Sequence, residues 1–380
     1  MKVCLMSFSS ITNQDGASLS MINIADELTK RGYEVVIVVK NTNNLSLIDK
    51  NKKIKIITTD SHNMRVNIEE SNWSTNIKFL IKSIINKKYL KELYEKLKAE
   101  DIDLIHINGL NHTIAARIAD KLNIPYVWHI RQLMEEDLGQ RLFNEKEIFS
   151  YLNKSDAIIA ISQVVKDKFK KYVTKEIDVV YNGVPVELYN VEGNQILEAN
   201  TIELILPGRI DIGKGQLQAT KAIKILVDKG YPLHLNIVGN IEDRSYNAGL
   251  LEYIKNNDLE KNVTIKDFVS DLRTLRSNCD IGLTCSVKEA FGRVTIENQL
   301  AGLLVIGANS GGTVEIVDDG KTGLLYDVNS YEDLAAKIEY AINNKDAMKT
   351  IAQVGREEAF NKFSITRVVD EVIKIYDKVM

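Results

Sequence analysis

Two glutamates eight positions apart, Glu289 and Glu297, bracket a Phe291-Gly292 pair in the segment SVKEAFGRVTIENQLAGLLVIGANSGGTVEIVDDGKTGLL, residues 286–325. A strand-like run, DIGLTC, ends just before them, and Gly292 allows a tight entry into a helix that starts near Arg293. The first N–H groups of such a helix lack partners within it and carry about half a positive charge, which suits a diphosphate. Glu289 lies just ahead of that helix and Glu297 about one turn inside it, so the two carboxylates face different parts of one ligand. Carboxylates accept well from paired hydroxyls, as sugars present them. Gly311-Gly312-Thr313, after the run LLVIGANS, adds a second flexible loop at the carboxyl end of a strand.

The elements that must position these groups alternate along almost all of the 380 residues. KVCLMSF, EVVIVVK, IKIITT, IDLIHIN, PYVWHI, DAIIAIS and IDVVYNGV read as strands, with helical patterns over ASLSMINIADELTKRG, 74–98, HTIAARIADKLN and a lysine-rich stretch. Continuous rather than alternating apolar strands mean sheets covered on both faces, a doubly wound parallel α/β pattern. The period lapses over 186–200, which reads as a linker. It resumes with IELILPGR, a helix over 214–229, LHLNIVG, a helix near 245–257, VTIKDF, DIGLTC, the helix from about 293, LLVIGA and TGLLY. Two helical patterns, 345–361 and 365–379, close the chain. Two α/β domains in tandem are therefore expected, and ligands of such sheets bind outside the carboxyl ends of the strands. Facing each other, they would form a cleft.

Composition narrows the alternatives. Hydrophobic residues at 44% and charged residues at 27% support real cores and exclude disorder as the main state. No apolar run is long enough to span a bilayer, and the N-terminus reads as a first strand rather than a signal peptide. A net charge of −3 argues against general nucleic-acid binding. Cys4, Cys279 and Cys285 lie in or beside apolar strands without metal-ligand spacing and read as buried small hydrophobes of a reducing compartment. Asp101-Ile102-Asp103 looks like a metal-binding Asp-x-Asp but reads better as the solvated lead into a strand, so no essential metal is expected.

At this point the residues resemble a known family. EAFGRVTIE resembles the Glu–seven residues–Glu signature of retaining GT-B glycosyltransferases, glycosyltransferase family 4 or "group 1". Further matches fall in family order over nearly the whole chain: DGAS, VWHIRQ, YNGVP, PGRIDIGKGQ and GANSGGTVEIVDDGKTGLL. The resemblance implies GT-B architecture, with two Rossmann-like doubly wound domains facing a cleft. Residues 1–185 would bind the acceptor, 186–200 link, 201–362 bind the nucleotide-sugar donor, and 363–380 pack a helix back toward the first domain. It implies that Arg209 and Lys214 grip the donor diphosphate, an arrangement that neutralises a leaving nucleoside diphosphate without a metal. Glu297 would hold the ribose and Glu289 touch the donor sugar. Backbone around Phe291, Gly292 and Arg293 would approach sugar and phosphates, and Gly16 would let the diphosphate come close. The family often has two adjacent glycines there; this chain has Asp15-Gly16-Ala17.

His129 resembles the family histidine beside the donor sugar, where it would position a sugar hydroxyl while its backbone carbonyl faces the developing cation. The mechanism implied is front-face: the acceptor hydroxyl attacks on the side from which the diphosphate leaves, and a phosphate oxygen takes its proton. Expected catalytic residues are thus His129, Glu289, Arg209 and Lys214, with no cofactor and a UDP-sugar as the first donor to try. Asn108, Arg131 and Glu135 could line an acceptor pocket; for Arg131, Glu135, Glu136 and Asp137 a solvated helix face is the equal alternative. VTIKDFVSDL borders the expected base pocket. The acceptor would be a glycan or a polyprenyl-diphosphate-linked oligosaccharide of bacterial surface polysaccharide synthesis. The setting would be cytoplasmic, with or without peripheral contact at the inner membrane face.

Residues 1–190 carry 27 Lys+Arg against 24 Asp+Glu, and seven lysines crowd 78–98. With Phe79, Leu80, Ile81, Ile84 and Ile85 they read either as a helix docked on an anionic membrane or as an ordinary amphipathic helix meeting the sheet. Two other functional classes stay open here. One is a GT-B-fold nucleotide-sugar epimerase, which would need no acceptor; the other is a nucleotide-sugar-binding partner without turnover.

Overall fold

The computed structural model describes residues 1–8, 16–40, 53–69, 73–189 and 196–380. Asp15 and the middle of the expected linker, 190–195, lie outside the described residues. The chain divides into two compact units: an N-terminal unit of 1–184 with 365–380, and a C-terminal unit of 185–364.

The N-terminal unit holds strands β1 (Lys2–Met6), β2 (Glu34–Lys40), β3 (Ile54–Thr59), β4 (Arg65–Asn67), β5 (Leu104–Asn108), β6 (Tyr126–Ile130), β7 (Gln140–Leu142), β8 (Ala157–Ala160) and β9 (Ile177–Val179). Seven form one sheet in the order β3-β2-β1-β5-β6-β8-β9, every pair parallel; β4 and β7 pair antiparallel outside it. β-Branched runs such as EVVIVVK are buried on both faces, which a parallel sheet sandwiched by helices requires. Helices Gly16–Lys30 and Ile365–Val379 pack together on the sheet, joining Val3, Leu5, Met21, Leu28, Val368, Val372 and Tyr376 in one core. The chain leaves and re-enters this unit at one place: the Ile365 N–H donates to the Val184 carbonyl at 2.9 Å. There a Cβ on Gly183 would come within 2.8 Å of the Ile365 backbone, so only glycine admits the returning helix.

The C-terminal unit holds β10 (Ile202–Pro207), β11 (Leu233–Val238), β12 (Val263–Lys266), β13 (Ile281–Thr284), β14 (Leu304–Ala308) and β15 (Leu324–Tyr326). They form one parallel sheet in the order β12-β11-β10-β13-β14-β15. Two features depart from the sequence reading. Ile196 and Leu197, assigned to the linker, are buried in this unit's core, tied down because the Asp280 carboxylate accepts the Leu197 and Glu203 N–H groups. The second is a helix over Tyr331–Asn343, outside the expected elements. Its Ser330 cap accepts the Asp333 N–H, and Leu334, Ala335, Ile338 and Ala341 recur at helical spacing to bury one face.

In both sheets the first strand of the unit lies where the strand order reverses, between β2 and β5 in one and between β11 and β13 in the other. Loops at the carboxyl ends of β1, β5, β10 and β13 therefore open at topological switch points.

Candidate active site

At the C-terminal unit's switch point, Arg209 follows β10 after Gly208. Asp211 caps a short turn by accepting the Gly213 N–H at 2.8 Å, and this brings Lys214 back over the end of β13. The Lys214 ammonium donates to Glu289 Oε2 at 2.7 Å. Arg209 is more open, its Nε 3.8 Å from Asp211. Burial alone would raise the Glu289 pKa, but the charge and hydrogen bond of Lys214, a bond from Ser286 and the charge of Arg209 outweigh it and hold the carboxyl below its usual range. The structure thus brings Arg209, Lys214 and Glu289 together, 75 residues of chain separating the bonded pair.

The loop carrying Glu289 is clamped on two sides. Val287 N–H donates to the Gly213 carbonyl at 3.1 Å, and Gly312 N–H donates to the Glu289 carbonyl at 2.7 Å. A Cβ on Gly312 would sit 2.4 Å from the Phe291 carbonyl oxygen, and one on Gly311 would sit 2.5 Å from that of Glu289. The two glycines therefore serve close packing, not the flexibility their sequence suggests. Phe291 turns into the core, edge-on to Phe363 with ring centroids 5.8 Å apart, so a ligand would meet only its backbone. Gly292 takes φ 110°, and the helix Arg293–Leu300 begins directly after it.

Glu297 sits inside a charge cluster that sequence reading missed. Arg276 Nη2 donates to its Oε2 at 2.8 Å and Arg293 Nε to its Oε1 at 2.7 Å. Arg276 is 2% exposed and gives its Nε to Asn298 Oδ1. The Tyr189 ring lies 6.0 Å from that guanidinium, and its hydroxyl pKa is pushed up to about 12 by burial and the Glu297 charge. Burial would raise the Glu297 pKa; the two arginines overcome it and keep the carboxylate ionised. Each Glu297 oxygen retains acceptor capacity for a hydroxyl. Arg293 thus contributes its side chain as well as the backbone expected of it.

In the N-terminal unit, His129 stands beside Asn108 in the β5–β6 register. Its ring is fully buried, with Nδ1 3.1 Å from His106 Nε2, while His106 Nδ1 lies 2.6 Å from the Tyr376 hydroxyl. His129 Nε2 has no partner among the described residues. Burial and the Arg131 charge push the His106 pKa down to about 3, and with His106 beside it they keep His129 neutral as well. The His129 carbonyl accepts the Gly109 N–H at 2.8 Å, so the oxygen expected to face a cation is engaged in the sheet edge.

Arg131, weighed as a pocket residue or a solvated one, is 4% exposed; it donates to Asn108 Oδ1 at 2.8 Å and to Asn182. Asn108 and Arg131 therefore cross-link the loops after β5 and β6 to the YNG segment. Glu135 opens a four-residue helix, Glu135–Leu138, where it lies 3.8 Å from Lys168, and Glu136 bonds that lysine directly. Gly16 is exposed and begins its helix, and no described residue lies within 4 Å of where a Cβ would stand. Asp103 accepts the Lys2 backbone N–H at 2.6 Å, in line with a structural role at the start of β5. The cysteines are buried, with thiol pKa values of Cys279 and Cys285 pushed up to about 12 mainly by burial. Among the described residues no cluster of three or more His, Cys, Asp or Glu could hold a metal ion, and no helix is long and apolar enough to cross a membrane.

Two family models match the chain in succession: "Glycosyltransferase Family 4" over residues 14–188 and "Glycosyl transferases group 1" over 192–358. The chain belongs to the group 1 glycosyltransferases. Uncharacterized glycosyltransferase MJ1178 of Methanocaldococcus jannaschii is 27% identical over 291 residues, 74% of this chain and 77% of that protein. Capsular polysaccharide biosynthesis glycosyltransferase CapM of Staphylococcus aureus is 29% identical over 234 residues, 58% of this chain and 61% of CapM. The crystal structure of Anabaena HepE in complex with UDP-glucose superposes with a TM-score of 0.80 at 20% identity, covering 99% of both chains. This group 1 glycosyltransferase therefore shares the GT-B fold, two Rossmann-like α/β domains each built on a parallel sheet.

Proposed function

We propose that this enzyme is a retaining, metal-independent glycosyltransferase that uses a UDP-sugar and builds a bacterial surface polysaccharide. The observation that carries the reading is the convergence of Arg209, Lys214 and Glu289 beside the start of the helix Arg293–Leu300. Two cations and a helix N-terminus at a switch point can hold a diphosphate and take up the charge that develops on it as it leaves. Glu289 would accept from the donor sugar's hydroxyls, and Glu297, kept ionised by its two arginines, from the ribose. In the front-face step the bond from the anomeric carbon to the diphosphate breaks, the bond to the acceptor oxygen forms on the same face, and the acceptor proton passes to the departing phosphate oxygen. No protein base is required. The UDP-glucose held by HepE favours uridine, and the name of CapM favours a capsule-type product.

Calorimetric titration with UDP, GDP and ADP, each with and without EDTA, tests the donor site. UDP binding that survives EDTA and collapses in Arg209→Ala is expected. Loss of binding with EDTA, or unchanged binding in the variant, overturns the metal-free diphosphate grip. Anomeric analysis of the product by NMR checks retention.

The acceptor is a lipid-linked oligosaccharide, reached by docking on an anionic bilayer. The helix Trp73–Lys98 supports this because it is apolar on two sides. Phe79, Leu90, Leu93 and Leu97 face inward, and Phe79, expected on the inserted face, instead stacks on Phe143 at 5.4 Å. The outward stripe is Trp73, Ile77, Leu80, Ile81, Ile84 and Ile85, with Trp73 at 78% and Ile84 at 66% exposed. Lysines flank it, each worth about 1 kcal/mol near an anionic surface. Wild type should co-sediment with phosphatidylglycerol vesicles but not phosphatidylcholine vesicles, and Ile81→Asp/Ile84→Asp should stay in solution. Equal sedimentation of the two forms, or a dimer that the double variant dissolves, would show a different use for the stripe.

A further inference from the structure

The His129 ring needs a tautomer before it can do anything, and the tautomer is decided away from the site. Three buried groups stand in line: the Tyr376 hydroxyl, the His106 ring and the His129 ring, joined at 2.6 Å and 3.1 Å. All three residues are fully buried, and Arg131, packed beside the pair of rings, opposes a second proton on either. Each ring is therefore neutral and has one N–H and one lone pair to distribute. Two arrangements satisfy the line between the rings, with opposite direction.

Tyr376 breaks the tie. His106 Nδ1 is the one polar partner of its hydroxyl among the described residues. If the hydroxyl accepted from His106, its own proton would be buried in the core with no acceptor among the described residues, and His129 Nε2 would be left a bare acceptor. If it donates, the orphaned donor moves to His129 Nε2, at the carboxyl end of its strand where a ligand oxygen can meet it. It therefore donates.

We infer that Tyr376, on the terminal helix, fixes the site histidine as a hydrogen-bond donor: Tyr376 O–H donates to His106 Nδ1, His106 Nε2–H donates to His129 Nδ1, and His129 presents Nε2–H to an oxygen of the bound sugar. The last contact rests on the donor-sugar role proposed above for His129; the direction of the relay does not. His129 Nε2 is buried and has no partner among the described residues, so a donor there is open to a ligand oxygen. Tyr376 and His106 are positioning residues, acting through His129. The relay also gives the return of residues 365–379 to the N-terminal unit a chemical consequence besides its packing.

The test uses the full chain labelled with nitrogen-15 at histidine. Long-range proton–nitrogen correlation at pH 7 should report the Nε2–H tautomer for both His106 and His129. Tyr376→Phe keeps the packed ring and removes the hydroxyl. It should shift both histidines toward a tautomer mixture and lower kcat about tenfold, the rate equivalent of one neutral hydrogen bond, with UDP affinity within twofold of wild type. In Tyr376→Phe/His106→Gln the glutamine amide can donate to His129 Nδ1 without the phenol, so the His129 tautomer and most of kcat should return. An Nδ1–H tautomer of His129 in wild type, or an unchanged histidine spectrum in Tyr376→Phe, overturns the relay. If the tautomers behave as stated but His129→Ala transfers sugar at the wild-type rate, the relay stands and the proposed sugar contact falls.

Discussion

Arg276 and Arg293 each give an N–H to a different oxygen of Glu297, and that division sets the chemistry of the carboxylate. A lone glutamate at that depth would tend to take up a proton and lose its value as a hydroxyl acceptor. Arg276 has further work, because its Nε satisfies Asn298 beside Glu297 on the same helix. Replacing it by methionine removes one buried pair and leaves the neighbouring amide oxygen short of a donor. Arg276→Met is expected to destabilise the protein by about 3 kcal/mol, measured by urea unfolding. The Glu297 pKa, now held below its usual value, should climb back, so UDP affinity should begin to fail at a higher pH as the solution is acidified. Titrating UDP between pH 4.5 and 7 checks this, and Arg276→Lys should restore little because an ammonium cannot span both acceptors as a planar guanidinium does.

The loop that carries Glu289 is an element without a regular structure of its own, held by its neighbours' backbones. Residues 286–292 hang between the turn at Gly213 and the turn at Gly311-Gly312, and the distances there leave no room for a methyl group. Gly312→Ala would press a Cβ against the Phe291 backbone, and backbone cannot swing aside as a side-chain tip can. A destabilisation of about 1–3 kcal/mol is expected from the overpacking, with a larger loss of UDP binding than of stability because Glu289 moves with the strand of chain that is pushed. Parallel denaturation and calorimetry separate the two. The sequence marked the glycines and their place after a strand. It did not show that they are pressed on the Glu289 loop, since that contact joins segments more than twenty residues apart.

Across the whole molecule, the buried neutral histidines His106, His112 and His129 all lie in the N-terminal unit. Burial depresses all three below the unfolded value near 6.5, with His106 and His112 each down to about 3. Below pH 6.5 the unfolded chain therefore binds protons that the folded unit refuses, so stability is complete above that pH and is lost progressively as pH falls toward 3. At pH 5.5 each such histidine costs about 1.4 kcal/mol. Calorimetric scans at pH 7.5 and 5.5 should show the N-terminal unit losing more melting temperature than the C-terminal unit, and His112→Phe should reduce the difference. The strands, most helices and the family were legible in the chain by itself, because apolar period, capping residues and short motifs such as EAFGRVTIE act over a few residues. The helix Tyr331–Asn343 carries the same kind of local signal, a Ser330 cap and apolar residues at helical spacing. Only the tertiary structure decided which groups Glu297, Arg131 and His129 bond. Their partners Arg276, Asn182 and the Tyr376–His106 pair lie between 21 and 270 residues away from the groups they bond. The direction of a hydrogen bond depends on which groups folding brings into contact, and no local pattern in the chain encodes that.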